Sequence, residues 1–317
     1  MSFGLIGAIF KNAKLRKLDK QALKYFNDGE YKEALKKLDK ILEKVPDHAG
    51  SWRNKGIIYG IQKKLDKAID CFKEALKNDP DYPEAHFNLE TAYVQKRELS
   101  NAIKHFKKYT ELRPKDHNAR IALAKIYWEE NEPLKSIKNL EEILAKKQDH
   151  FEALNLLAEV HFQRKKFDKA KELFEQALSI KPKDVTTLYR LGTIVGNQGE
   201  LEDARKLLEK AREQSPNYVD VQFDLGKVYA ALNQHTKALK LFKDIHEKMP
   251  DNIEVLFQLA TAYGNSDNIP KAIELYKQLL EINPKVPGAW SNLAKCYNAI
   301  GENEKAKDCF QKAQEYK

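Results

Sequence analysis

The chain has 317 residues, is 42% hydrophobic and 32% charged, and carries a formal net charge of +9. That length accommodates two ordinary globular domains or one repeat array, and a charged fraction this high, with Lys, Glu, Ala and Leu dominant, points to long helices. The composition excludes collagen-like or low-complexity chains, and no apolar run approaches the ~18 residues of a membrane-spanning helix. The cysteines Cys71, Cys296 and Cys309 are widely spaced and form no Cys-x-x-Cys pair. They argue against a disulfide framework or a zinc site and point to a reducing, cytoplasmic compartment.

The first element is residues 1–14, whose apolar side chains Phe3, Leu5, Ile6, Ile9 and Phe10 precede Lys11 and Lys14. A secretory signal places its positive charge before the apolar stretch, and here the charge follows. Ser2 stands where N-myristoylation needs glycine. Phe3, Ile6 and Phe10 recur at helical spacing, so a cap on the next helical hairpin is the plainest reading. An anchor on an anionic membrane surface is the second, and a contact with a partner or a second copy is the third. Gly4 and Gly7 weaken an isolated helix, so the segment needs a surface to fold against.

From residue 15 one 34-residue unit recurs nine times, starting at 15, 49, 83, 117, 151, 185, 219, 253 and 287. Proline marks the end of seven units, at Pro46, Pro80, Pro114, Pro182, Pro216, Pro250 and Pro284, and Gln148 takes the skipped place. A second row is Ala34, Ala68, Ala102, Ser136, Ala170, Ala204, Ala238, Ala272 and Ala306. A third is large, with Tyr at most places, His161 and Val195 excepted. A fourth is small, from Ala22 and Gly56 to Ala294, and is broken by Glu90.

Each unit reads as two helices. In 49–82, Trp52, Gly56 and Tyr59 share one helical face, QKKLD connects, and Leu65, Ala68, Ile69, Phe72, Ala75 and Leu76 form a second stripe. Proline then ends the second helix, because it cannot continue the hydrogen-bond ladder and restricts the residue before it. The small residues mark where the paired helices approach most closely.

These rows resemble the tetratricopeptide repeat, whose 34-residue pattern of Trp or Leu, Gly or Ala, Tyr, Ala, Phe, Ala and Pro is clear at Leu154, Leu157, Ala158, Ala170, Phe174, Ala177 and Pro182. The resemblance covers residues 15–317 and implies an all-α, right-handed superhelical α-solenoid of nine helical hairpins. Stacked neighbours supply the core that no single hairpin has. It also implies that the first helix of each hairpin lines a concave groove.

The places that face ligands in that family fall here on Arg53, Asn54, Phe87, Asn88, Lys125, Trp128, Asn155, Phe162, Tyr189, Arg190, Phe223, Lys227, Phe257 and Asn292. Aromatic anchors among Arg, Asn and Lys are typical of peptide-binding surfaces; rings that merely cover gaps between helices are the alternative. The Lys/Asn/Arg clamp that holds chaperone tails in some relatives is broken by Asp19, Leu23 and Glu84. Glu90, at a small-residue place, is expected to reach out at the rim or to pair with a basic residue facing the groove. His48, His117 and His150 fall near turns, where solvated side chains are expected, and His161 reads as a packed core residue.

No phosphate loop, nucleophile elbow or His-Glu-x-x-His motif is present. The expectation is a non-enzymatic scaffold without cofactor or metal, binding proteins or peptides. The alternative is a peripheral membrane organiser held by residues 1–14. Self-association stays open. The first 116 residues hold +8 of the net charge, but acids are interleaved on the same helices and no nucleic-acid module occurs, so nucleic acid is not an expected partner.

Overall fold

A computed structural model describes residues 12–316. The apolar segment with Phe3, Leu5, Ile6, Ile9 and Phe10 lies outside the described residues. Those described form eighteen helices and no strand. They divide into two compact units, one ending at Val160 and the other beginning at His161.

The first unit contains α1 (Ala13–Asn27), α2 (Tyr31–Leu42), α3 (Ala49–Ile61), α4 (Leu65–Asn78), α5 (Pro83–Gln95), α6 (Leu99–Leu112), α7 (His117–Glu129), α8 (Pro133–Leu144) and most of α9 (Phe151–Gln163). From α1 to α8 these pair in sequence as antiparallel hairpins, and the second helix of each hairpin packs on the first helix of the next. The second unit repeats the scheme. It contains α10 (Phe167–Ile180), α11 (Val185–Asn197), α12 (Leu201–Gln214), α13 (Val219–Ala231), α14 (His235–His246), α15 (Ile253–Gly264), α16 (Ile269–Ile282), α17 (Pro287–Ala299) and α18 (Asn303–Glu315). In both units consecutive first helices also touch, α3 on α5, α11 on α13, α13 on α15 and α15 on α17.

The turn inside each hairpin follows one rule. Positive φ occurs at Gly29, Lys63, Arg97, Asn131, Lys165, Gly199, Asn233, Asp267 and Gly301, always at the same place of the unit. The next residue donates its N–H back to the carbonyl at the tyrosine row, as in Lys64 to Tyr59 at 2.9 Å and Gln234 to Tyr229 at 2.8 Å. This left-handed closure satisfies the last carbonyls of the first helix and reverses the chain. Several first helices start on side-chain caps: Asp116, Asp184 and Asn252 accept from the backbone N–H three residues on, at 3.1, 2.9 and 3.1 Å. His48 does the same with its imidazole, accepting from Ser51 N–H at 3.1 Å, so it is a cap and not a solvated side chain.

The small residues have a measurable cause. A Cβ at Gly56 would stand 2.4 Å from the Phe72 ring, one at Gly226 2.7 Å from Phe242, and one at Gly192 2.9 Å from Leu208. Phe72, Phe174 and Phe242 are fully buried, each contributing about 1.5–3 kcal/mol of burial. The alanine row and Ser136 are equally buried. The fourth place has its own task. The indoles of Trp52 and Trp290 donate to the carbonyls of Pro46 and Pro284 at 2.8 Å. Gln222 donates to Pro216, and His86 Nε2 lies 2.9 Å from the Pro80 carbonyl.

Candidate functional site

On the face of the first helices, the aromatic residues at the fifth place of their units sit between solvent and the hairpin core. Phe87 is 37% exposed and its ring lies 5.4 Å from that of Tyr109. Tyr189, Phe223 and Phe257 are half-buried, with rings 5.5 Å from Tyr218, 5.8 Å from Phe242 and 6.0 Å from Tyr276. Each ring therefore has one edge in helix packing and one side towards solvent.

Charged groups are interleaved with them. Lys227 is exposed; its ammonium lies 5.2 Å from the Phe223 ring centre and 2.6 Å from an Asp224 carboxylate oxygen. The Arg190 guanidinium lies 5.1 Å from the Phe162 ring and 5.7 Å from that of Tyr189. Asn292 donates to the Tyr276 hydroxyl at 3.2 Å. Lys125 is exposed, while Trp128, Asn155 and Phe162 are half-buried.

Arg53, Asn54 and Asn88 are placed differently. They are only 6%, 0% and 2% exposed. Arg53 turns along its own helix, donating to Asn54 Oδ1 at 3.3 Å with its guanidinium 5.9 Å from the Tyr82 ring. Hairpin stacking in the first unit closes over these side chains, so the structure gives them a packing role and not an exposed one.

Three recesses recur on this face at matching places. One lies between α5, α6 and α7 (520 Å³), one between α11, α12 and α13 (200 Å³), and one between α15, α16 and α17 (310 Å³). Each is entered past a threonine at the ninth place, Thr91, Thr193 or Thr261, whose hydroxyl donates to the carbonyl of the aromatic residue four positions earlier at 2.8, 3.0 and 2.8 Å. These threonines carry a signal in the sequence, four residues after Phe87, Tyr189 and Phe257.

The tetratricopeptide repeat model matches residues 127–193, 197–256 and 265–317, and a second model of the same repeat matches 49–82. The chain belongs to the tetratricopeptide repeat family. Among solved structures, MamA (residues 41 to the end) from Desulfovibrio magneticus RS-1 is 18% identical and superposes with a TM-score of 0.50, covering 53% of this chain and 95% of its own. YrrB, described as a TPR protein with an unusual peptide-binding site, is also 18% identical with a TM-score of 0.50, covering 58% of this chain and 95% of its own. At that identity the likeness is one of fold. A comparison with curated protein sequences gives no match.

Within this tetratricopeptide repeat chain the third repeat departs from the small-residue row at Glu90. Glu90 is fully buried, and neither carboxylate oxygen has a hydrogen-bond partner among the described residues. Neither the rim position nor a basic partner expected from the sequence is found. Burial pushes the carboxyl up to about 10, helped by the charge of Asp116. Tyr109 donates to Asp116 at 2.8 Å, and the Nδ1 atoms of His86 and His105 lie 3.0 Å apart. Among the described residues no group of three or more His, Cys, Asp or Glu side chains could hold a metal ion, and no helix is long and apolar enough to cross a membrane.

Proposed function

We propose that this chain is a protein-interaction scaffold whose first-helix face binds extended segments of partner proteins. The observation that carries the reading is the recurrence of a recess lined by the ninth-place threonine, Thr91, Thr193 or Thr261, each bonded to the carbonyl of a partly exposed aromatic residue one helical turn earlier, Phe87, Tyr189 or Phe257. A polypeptide in extended form presents side chains at regular intervals, and a repeated array of apolar seats with polar edges suits it. The rings are already held by packing, so they lose little freedom on binding. The interleaved Lys227, Asp224 and Asn292 supply polar contacts that set register.

Site-specific photo-crosslinking tests the reading. With the photoreactive residue at Lys227 or Lys295, a bound segment selected from a random peptide display is captured. With it at Lys206 or Lys240, on second helices, capture is absent. Capture confined to the second helices would reject it. The membrane alternative rests on residues 1–14 alone and gains no support from the described helices.

A further inference from the structure

The recess between α5, α6 and α7 differs from the two in the second unit in what lies at its floor. At the eighth place, where the other units carry Ala or Gly, stands Glu90, beside Phe106 and beneath Phe87. Its carboxyl is fully buried and has no hydrogen-bond partner among the described residues. A buried carboxyl without a partner is destabilising in either protonation state: charged, it lacks a counter-ion, and neutral, its O–H and C=O are unsatisfied. The position itself wants a small residue, as the 2.4 Å approach at the equivalent Gly56 shows. Packing of the hairpin therefore gives no reason for glutamate here.

The surroundings point outward from the hairpin. The second acid on the recess wall is Asp116, which caps α7 by accepting from Ala119 N–H at 3.1 Å and also accepts from the Tyr109 hydroxyl at 2.8 Å. Among the described residues no basic side chain lines the recess; the rest of its wall is largely apolar, with Phe87 and Val94 each 37% exposed at the mouth. A small metal ion does not suit it, since two carboxyl groups without a third donor do not make a cation cage. An organic cation on an apolar stem does: the stem passes Val94 and Phe87, and the charged head meets the carboxyl groups.

We propose that this recess is the seat for an arginine side chain of a partner polypeptide, with Glu90 as its buried acceptor and Phe87 as the ring over which the guanidinium passes. Arginine fits better than lysine because its planar fork reaches two acceptors and stacks on an aromatic face. On binding, the Glu90 proton passes to solvent and the carboxylate so formed is paired with the guanidinium. The selectivity is for charge: a neutral group of the same shape can hydrogen-bond the carboxyl but cannot form the stronger, charge-assisted pair with a carboxylate. The proposal specifies one seat on the face read above as protein-binding. That wider reading is tested at residues of the second unit, so each can fail alone.

The test uses the full chain and the peptide acetyl-Ala-Ala-Arg-Ala-Ala-amide, with its citrulline analogue as the neutral match. Amide resonances of Thr91, Asn118 and Ala122 are followed as peptide is added to millimolar concentration. The expected result is saturable shifts with the arginine peptide and binding at least about tenfold weaker with the citrulline peptide. Glu90→Gln, which keeps the shape, loses the same factor. Glu90→Ala, which installs the residue most units carry and so preserves the fold, abolishes the difference between the two peptides. Absence of saturable shifts, equal binding of both peptides, or undiminished arginine binding by Glu90→Gln would each overturn the proposal.

Discussion

The imidazoles of His86 and His105 face each other with Nδ1 atoms 3.0 Å apart, and the direction of that hydrogen bond is fixed from its outer end. His86 Nε2 lies 2.9 Å from the Pro80 carbonyl, which can only accept, so Nε2 carries the proton. Nδ1 of neutral His86 is then the acceptor, and His105 Nδ1–H the donor. Desolvation lowers both imidazoles, His105 to about 4, with the His86 charge adding to the effect there.

Acid should therefore weaken this hairpin in a defined window. Between about pH 6.5 and pH 4 the unfolded chain takes up protons that the folded pair refuses. Stability is full above that window and falls through it, for His105 by up to about 1.4 kcal/mol per pH unit, with the lowered His86 acting in the same direction. Urea midpoints of wild type and the H86L/H105L variant between these pH values provide the check. Leucine stands at both places in the fifth, sixth and eighth units, so the variant should fold and lose less stability on acidification. Equal losses would contradict the pairing.

Glu90 has the opposite sign. Its folded pKa of about 10 lies above that of a free glutamate, so above about pH 4.5 the unfolded chain releases a proton that the folded one keeps. Stability from the neutral carboxyl is lost as pH rises towards the folded value. Glu90→Ala should be more stable than wild type at neutral pH, with a gap that widens towards about pH 9 and narrows towards about pH 5. Denaturation curves at the three pH values decide it; a gap that does not change with pH would mean that Glu90 is solvated.

Gly56 and Gly60 lie one turn apart on α3 and should respond oppositely to alanine. A Cβ at Gly56 meets Phe72 at 2.4 Å, whereas one at Gly60 meets nothing within 4 Å. Gly56→Ala should cost about 1–3 kcal/mol through overpacking, and Gly60→Ala should gain about 0.5–1 kcal/mol through helix propensity. Thermal or urea unfolding of both variants checks the pair.

Much of this was legible in the sequence because the repeat samples each place nine times. The small row announced the approach of Phe72 to Gly56, and the proline row announced the ends of second helices. Single departures were harder to read. Glu90 gave a clear anomaly but not its burial, because the exposure of one side chain depends on how the next hairpin packs against it, which the repeat pattern alone does not set. Arg53, Asn54 and Asn88 occupy ligand-facing places by register, yet stacking buries them; register fixes direction along the helix and not the height of neighbouring side chains. His48 as a cap was hidden because imidazole is an uncommon substitute for Asp or Asn there.

The left-handed turn residues offer another check. Lys63 holds φ at 59° where Gly29 and Gly199 hold 78° and 86°. A side chain there is disfavoured by about 1 kcal/mol, so Lys63→Gly should raise stability by about that amount and Gly199→Ala should lower it comparably. Unfolding midpoints measure both.

The most direct test of the scaffold reading is the affinity of a display-selected peptide for wild type, for Phe223→Ala with Phe257→Ala, and for Lys227→Glu, each with its helical content verified. Loss of two aromatic anchors is expected to weaken binding by about 2 kcal/mol or more, roughly thirtyfold, and Lys227→Glu, which reverses an exposed charge on this face, to change affinity in the same measurement. Unchanged affinity in all three proteins would contradict binding on the first-helix face.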